Sequence, residues 1–528
     1  MNNYSELLTQ IEQLRTKVNH ITYVPKVEFP KFPFDNMYEG QYGALKSLSE
    51  KKPCVLSSHT GSGKSAVFIG ATAGEPTLIV EPRKFLQRQI IDYFKNLNVR
   101  SAILFGRSEY PCQYAYNAGV APCLRKTRCN NTYFKNECDE YTQVCDRKPC
   151  NVFMAENSFH KYPCPNCAYF AAQNEAMSVL HASGTVVCNF GNFWNLKDHA
   201  LNIVIDEADL FCREISTPKE INTATYVDMD IKKMLFTELQ DIDRKMQTTT
   251  TLQYYKLSND KYKISFLYDN AEICFAYKKK NWKTKEEKVF VEIMPDKVTI
   301  LIDKVFKDKR LIIVTATPTN FELPAITYTI PQRCGIFYCP QGKLTASALH
   351  TQPWLLDNAI TGFIDPMSRI FTAMYGSKKF IVHCGNIGQH ATRALQLLGA
   401  DDCTIHEKGQ LMQTIEKFTA SDKRYLLVAS AEYGLDAPWC DCQFILKVPF
   451  ASKDDHMRAL EVKLGKEKFR KWYTTDAAVR LIQQSGRVGR GYDSFSATFV
   501  LDAKFRDVYS QYRSVFPEWF HNRLIGDV

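Results

Sequence analysis

The groups in this sequence whose types and spacing suit phosphate chemistry are an ammonium, two adjacent carboxylates and a pair of guanidiniums. The ammonium is Lys64, in Ser58-His59-Thr60-Gly61-Ser62-Gly63-Lys64-Ser65. This stretch follows the apolar run Cys54-Val55-Leu56, which reads as a strand, and precedes Ala66-Val67-Phe68-Ile69, which reads as the start of a helix. A strand, a glycine-rich turn and a helix N-terminus aim backbone N–H groups and the helix dipole at one point, which suits a phosphate. The pattern departs from GxxxxGK[ST] in having Ser58 at the first glycine. Thr60, Gly61, Ser62, Gly63 and Lys64 are expected to hold the phosphates of ATP, with Lys64 on the β- and γ-phosphates and the Ser65 hydroxyl on Mg²⁺.

The carboxylates are Asp206 and Glu207, which end the apolar run Ile203-Val204-Ile205. An acid at the end of a buried strand can hold Mg²⁺, and its neighbour can polarise the attacking water. Asp206 is assigned the metal and Glu207 the water; the plainer alternative is a solvated acidic loop. The guanidiniums are Arg487 and Arg490, in Gln483-Gln484-Ser485-Gly486-Arg487-Val488-Gly489-Arg490. Three residues apart, they share a helical face and can both reach a γ-phosphate held by another domain. Standing alone, the octet would read as an ordinary basic surface helix.

Such groups need rigid elements behind them. Strand-like runs at Val55-Leu56, Thr77–Val80, Ala102–Phe105, Thr185–Cys188, Ile203–Ile205 and Leu311–Val314 alternate with helical segments. That alternation predicts a parallel sheet covered on both faces. A second rhythm is expected from about residue 340, with strands at Phe380–His383, Tyr425–Val428, Phe444–Leu446 and Ala497–Leu501. Leu7, Ile11, Leu14 and Val18 recur at helical spacing and predict a helix over 4–18, docked on the body and followed by a Pro25/Pro30/Pro33 linker. The expected organisation is an N-terminal helix and linker over 1–35, a first α/β domain over 36–335 and a second over 340–528. Two stretches break the first rhythm: a cysteine-rich one over 108–168, and a mixed one over 212–295. The latter reads as helical near 230–246, then strand-like and basic around Lys278-Lys279-Lys280-Asn281-Trp282-Lys283.

The ordered set of motifs resembles the superfamily 2 helicase motor. Gln41 matches the adenine-reading glutamine, Glu81-Pro82-Arg83-Lys84 opens a segment similar to motif Ia, and Thr315-Ala316-Thr317 resembles motif III. Glu432-Tyr433-Gly434-Leu435-Asp436 resembles motif V and the arginine octet motif VI. Within that superfamily, Gly106-Arg107-Ser108-Glu109-Tyr110-Pro111-Cys112, Cys167-Ala168-Tyr169-Phe170-Ala171 and Leu501-Asp502-Ala503-Lys504-Phe505 are similar to landmarks of the XPD/DinG iron–sulfur helicases. The resemblance implies an α/β fold of two RecA-like parallel-sheet motor domains, the first carrying an iron–sulfur insert and a small arch-like insert. It adds Gln41, Gly434 and Asp436 to the nucleotide site, and makes Arg83 and Lys84 phosphate contacts for the nucleic acid. The implied activity is ATP-dependent DNA unwinding, with 5′ to 3′ movement on single-stranded or forked DNA. Asp209, where that family usually carries histidine, and Gly489 lean instead toward RNA helicases, so RNA stays open as a partner. An ATP-switched clamp that binds nucleic acid without unwinding it is the other alternative.

Eight of the 18 cysteines fall between Cys112 and Cys167. Thiolates suit an iron–sulfur cluster or zinc, and a [4Fe–4S] cluster needs four ligands. Cys164-Pro165-Asn166-Cys167 is a local CxxC, and Cys112 is supplied by the resemblance. Cys123 is taken as the fourth ligand, with Cys129, Cys138, Cys145 and Cys150 as rivals, and zinc or unliganded thiols as competing readings.

The formal net charge of +10, from 67 basic and 57 acidic residues, fits a polyanionic partner. The sequence shows neither a membrane-length apolar run nor a secretory leader. The expectation is therefore a monomer with no membrane partner, intracellular and cytoplasmic (or nuclear in a eukaryote), where cysteines stay reduced.

Overall fold

The computed structural model describes residues 4–17, 22–106, 110, 168–221, 230–248, 251–280, 286–306, 308–317, 321–385, 387–406, 411–428, 437, 439–489 and 495–528. Two seven-stranded sheets organise the chain. Every strand pairing within them is parallel. Across the first, the order is Ala325–Thr327, Cys54–Ser57, Arg310–Thr315, Asn202–Ile205, Thr77–Val80, Thr185–Cys188, Ser101–Leu104. Across the second it is Cys403–Ile405, Tyr425–Val428, Phe380–His383, Cys442–Ile445, Phe495–Asp502, Arg333–Gly342, Leu524–Ile525.

These strands are nearly continuous apolar runs because helices cover both faces and leave no solvated side. Val55, Leu78, Val186, Ile203 and Ile313 are wholly buried on one face, and Leu56, Ile79, Val187, Val204 and Ile312 on the other. In the second half, Phe499 is enclosed by four aromatic rings. It stacks on Phe337 and Phe444 at 5.4 and 5.5 Å, and meets Phe363 and Phe371 edge-on at 5.5 and 5.9 Å.

Two expectations are corrected and one is made specific. The second rhythm starts earlier than residue 340, because Arg333–Gly342 pairs with Phe495–Asp502 and belongs to the second sheet. Its polar ends, Arg333 and Gln341-Gly342, hid an apolar centre, Ile336-Phe337-Tyr338, that is buried. The N-terminal helix, Tyr4–Thr16, docks on the second half: Ile11 joins that core and the Tyr4 hydroxyl donates to the Gly362 carbonyl at 2.6 Å. Finally, helix Ile231–Thr248 is followed by a second, Thr251–Asp269, in a stretch whose scattered apolar residues show no helical stripe.

That helix pair accompanies a small antiparallel sheet ordered Lys219–Ile221, Glu287–Ile293, Cys274–Lys280. Its hairpin reaches across to the second half, where Phe275 and Tyr277 pack with Leu460 and Phe469 in one buried cluster. The Glu292 carboxylate meets the His456 imidazole beside them. Among the described residues, no helix is long and apolar enough to cross a membrane.

Candidate nucleotide site

The phosphate loop leaves the carboxyl end of the Cys54–Ser57 strand and enters helix Lys64–Thr72. Two left-handed glycines shape it, Gly61 (φ 79°) and Gly63 (φ 78°). A Cβ at Gly63 would stand 2.5 Å from the Gln41 side-chain nitrogen, so another residue there would take a strained backbone and displace the Gln41 amide. Lys64 Nζ donates to the carbonyls of Ser58 and His59 at 2.9 and 3.0 Å, which holds the ammonium over the loop. The Gln41 amide braces the loop from outside: its nitrogen donates to the Ser62 carbonyl at 2.9 Å and its oxygen accepts from the Tyr38 N–H at 3.1 Å. Its polar atoms thus meet backbone groups, and the base-reading role implied by the resemblance gains no direct geometric support here.

Facing the loop, the Asn202–Ile205 strand delivers Asp206 and Glu207. Glu207 is left-handed (φ 51°) and begins helix Ala208–Ile215. Asp206 accepts from the Glu207 N–H at 3.0 Å. Burial raises the Asp206 carboxyl above its usual range, Glu207 adds to that, and Arg83 and Lys64 oppose it. Arg83 does not point outward, as a phosphate contact would. Its guanidinium donates to Glu207 at 2.5 Å and to Glu81 at 3.2 Å. Burial works against its charge, but Glu207, Glu81 and Asp206 outweigh this and hold it protonated. Glu81 is fully buried, and burial pushes its carboxyl well up.

The last acid of the motif, Asp209, makes a connection that the local sequence did not signal. One of its oxygens accepts from the hydroxyls of Thr315 and Thr317, each at 2.9 Å, and from the Gln483 amide at 3.4 Å. Thr315 ends the Arg310–Thr315 strand of the first sheet, whereas Gln483 lies on helix Lys466–Ser485 of the second half. The motif resembling motif III, the acidic motif and the arginine motif therefore meet on a single carboxylate. Arg487 is buried with 1% exposure, and its guanidinium donates to the Gln483 side-chain oxygen at 3.3 Å. Next to it, a Cβ on Gly486 would stand 2.6 Å from the Thr60 hydroxyl, so the arginine motif abuts the phosphate loop directly.

Lys64, Ser65, Asp206 and Glu207 are thus gathered at the carboxyl ends of the first sheet, where open α/β sheets bind ligands, with Gly486, the neighbour of Arg487, set against the loop from the second half. The donor set fits a nucleotide triphosphate with Mg²⁺: loop N–H groups and an ammonium for phosphate, a hydroxyl and a buried carboxylate for the ion. Arg490, Gly434, Asp436, Cys112, Cys123, Cys164 and Cys167 lie outside the described residues. Among the described residues, no group of three or more His, Cys, Asp or Glu side chains could hold a metal. The described cysteines are buried or half-buried, and burial raises Cys54 to about 11 and Cys274 and Cys339 to about 12. His59, Glu81, Asp209, Tyr328 and Gln483 were missed as site residues; Glu81, directly after the apolar strand Thr77–Val80, carried a local signal, whereas the others meet partners distant in the chain.

Residues 384–523 match the family model described as the helicase C-terminal domain. No curated protein matches the sequence. A solved structure titled "XPD_Helicase" is 12% identical with a TM-score of 0.53, over 92% of this chain and 98% of that one. A second, titled "XPD_APO", is 11% identical with a TM-score of 0.50, over 89% and 96%. At such identities the likeness is one of fold. Residues 384–523 are thus similar to a helicase C-terminal domain, and the two sheets of the chain together share the fold of these two solved structures.

Proposed function

We propose that this protein is an ATP-driven motor that moves 5′ to 3′ along single-stranded DNA and separates the duplex ahead of it. The observation that carries this reading is the meeting of Asp209, Thr315, Thr317 and Gln483, with Gly486 set against Thr60. One half holds the phosphate loop and both acids; the other sets Gly486, next to Arg487, against that loop. Bound Mg²⁺ would neutralise charge on the transferring phosphoryl group. Ser65 and Asp206 would hold the ion, Lys64 the phosphates, and Glu207 the water. Arg487 and Arg490, with Gly434 and Asp436, would complete the site from the second half. Turnover then depends on the two halves being closed, and reopening after hydrolysis advances the strand.

The finer parts of the reading rest on the resemblance. The 108–168 segment is proposed as the iron–sulfur domain, with Cys112, Cys123, Cys164 and Cys167 as ligands and zinc as the rival metal. The 212–295 segment is proposed as the arch-like insert. A stretch of the length of 108–168 with little apolar periodicity gains stability from metal bonds more readily than from a core of its own. Anaerobically purified protein should be brown and contain iron; a colourless preparation with stoichiometric zinc rejects the cluster.

Asp209 supports a second reading, since this acid in place of histidine leans toward RNA helicases. The deciding experiment compares ATP hydrolysis stimulated by single-stranded DNA and by RNA of one sequence, followed by strand displacement from a 5′ overhang. Stimulation by RNA alone would overturn the DNA reading. Hydrolysis without displacement would favour a clamp over a motor.

A further inference from the structure

Residues 328–332 carry the chain from the first sheet, whose last strand is Ala325–Thr327, into Arg333–Gly342 of the second. This linker is laced onto the phosphate loop rather than spanning free space. The Tyr328 N–H donates to the Ser57 carbonyl at 3.2 Å, and the Tyr328 hydroxyl donates to the Ser62 carbonyl at 3.3 Å. The Ile330 N–H donates to His59 Nε2 at 3.3 Å. On the other side of the ring, His59 Nδ1 lies 3.0 Å from the Thr60 carbonyl. One neutral tautomer, protonated at Nδ1, satisfies both contacts. Burial, with Arg523 nearby, holds His59 well below its ordinary range and so keeps it in that neutral form. His59 is wholly buried, and its ring meets the edge of Trp519 from the second half at 6.2 Å. Its backbone carbonyl, meanwhile, is one of the two that hold the Lys64 ammonium.

The same residue therefore faces the phosphate-binding lysine with its main chain and the interdomain linker with its side chain. We infer that His59, with Tyr328, makes the linker a direct follower of the phosphate loop. A nucleotide that draws Lys64 off the Ser58 and His59 carbonyls shifts the loop, and the loop carries the linker with it. Both are positioning residues, acting through the loop rather than on the reacting atoms. The inference rests on reading the loop as an ATP site.

Hydrogen exchange across residues 328–332 tests it. The full-length chain is measured alone and with a saturating non-hydrolysable ATP analogue, and a separate fluorescence titration establishes that the analogue is bound. In the unmodified protein, nucleotide should change exchange at Ile330. In His59→Ala this amide should exchange on the order of tenfold faster and no longer respond to bound nucleotide, as expected when a local closing contact is lost. His59→Gln, which keeps an acceptor, should retain the response, and Tyr328→Phe should weaken it. A purely packing role would raise exchange equally with and without nucleotide and leave the response intact. That result overturns the inference, and His59→Gln and Tyr328→Phe supply it even if His59→Ala fails to fold. A chain that binds nucleotide while its linker stays indifferent overturns this inference alone; a chain that binds none overturns the site reading as well.

Discussion

The two halves share one architecture, a seven-stranded parallel sheet between helices, yet the groups the first gathers at the carboxyl edge of its sheet and those the second buries against helix Lys466–Ser485 are chemically unlike. The first edge crowds Lys64, Glu81, Arg83, Asp206, Glu207 and Asp209 together, with the guanidinium of Arg83 bridging Glu81 and Glu207. The second sheet supports the end of helix Lys466–Ser485 with neutral groups. There an uncharged pair takes the middle, with His383 Nε2 donating to the Gln443 oxygen at 3.0 Å. The Gln443 amide in turn donates to the carbonyls of Gln484 and Ser485 at 3.0 and 3.1 Å, and to Thr498 at 2.8 Å. Buried charges are costly to desolvate, and neutral amides suffice to hold a helix end in place. From that helix the Gln483 amide reaches the Asp209 carboxylate of the first half at 3.4 Å.

Breaking the charged edge should have the largest effect. Lys64→Ala should lower nucleic-acid-stimulated ATP hydrolysis by about 10³-fold or more, the scale for groups that stabilise a transferring phosphoryl charge; near-normal turnover would remove the loop from the site. Glu207→Gln should cost roughly 10²–10⁴-fold in turnover, the range for a positioned acid–base group, while a direct titration still detects bound nucleotide.

On the neutral side the effects are on stability. Phe499→Ala empties the centre of an aromatic cluster and should cost about 3–5 kcal/mol in urea unfolding. His383 is fully buried, and burial lowers it from 6.5 to about 4. Below pH 6.5 the unfolded chain binds a proton that the folded one refuses, so this contribution is complete above pH 6.5 and is lost as pH falls toward 4. At 1.36 kcal/mol per tenfold change in proton affinity it amounts to on the order of 3 kcal/mol. His383→Gln should flatten the acid limb of the stability profile, and an unchanged slope would contradict this. The smallest change is expected from Asp209→Asn, which weakens the acceptor joining the halves and should cost about 1–3 kcal/mol. Its sharper signature is hydrolysis that responds less to nucleic acid.

Much of the first edge was legible because each part is local. A strand, a glycine turn and a helix start lie within a few residues around Lys64, and Asp206-Glu207 directly ends an apolar strand. Arg83 was legible as a motif residue but not in its direction, because only the fold brings Glu207 within 2.5 Å of it. The helix Thr251–Asp269 escaped notice for a different reason: its apolar residues form no stripe, so tertiary packing rather than periodicity determines it.

By itself the sequence determined the two alternating α/β rhythms and the placing of Lys64 after a glycine turn and of Asp206-Glu207 at a strand end, since these follow from short-range pattern. Only the tertiary structure decided that Asp209 joins Thr315, Thr317 and Gln483, and that the linker is laced to His59. Those partners are distant in the chain, and a hydrogen bond forms only where packing brings donor and acceptor within about 3 Å of each other.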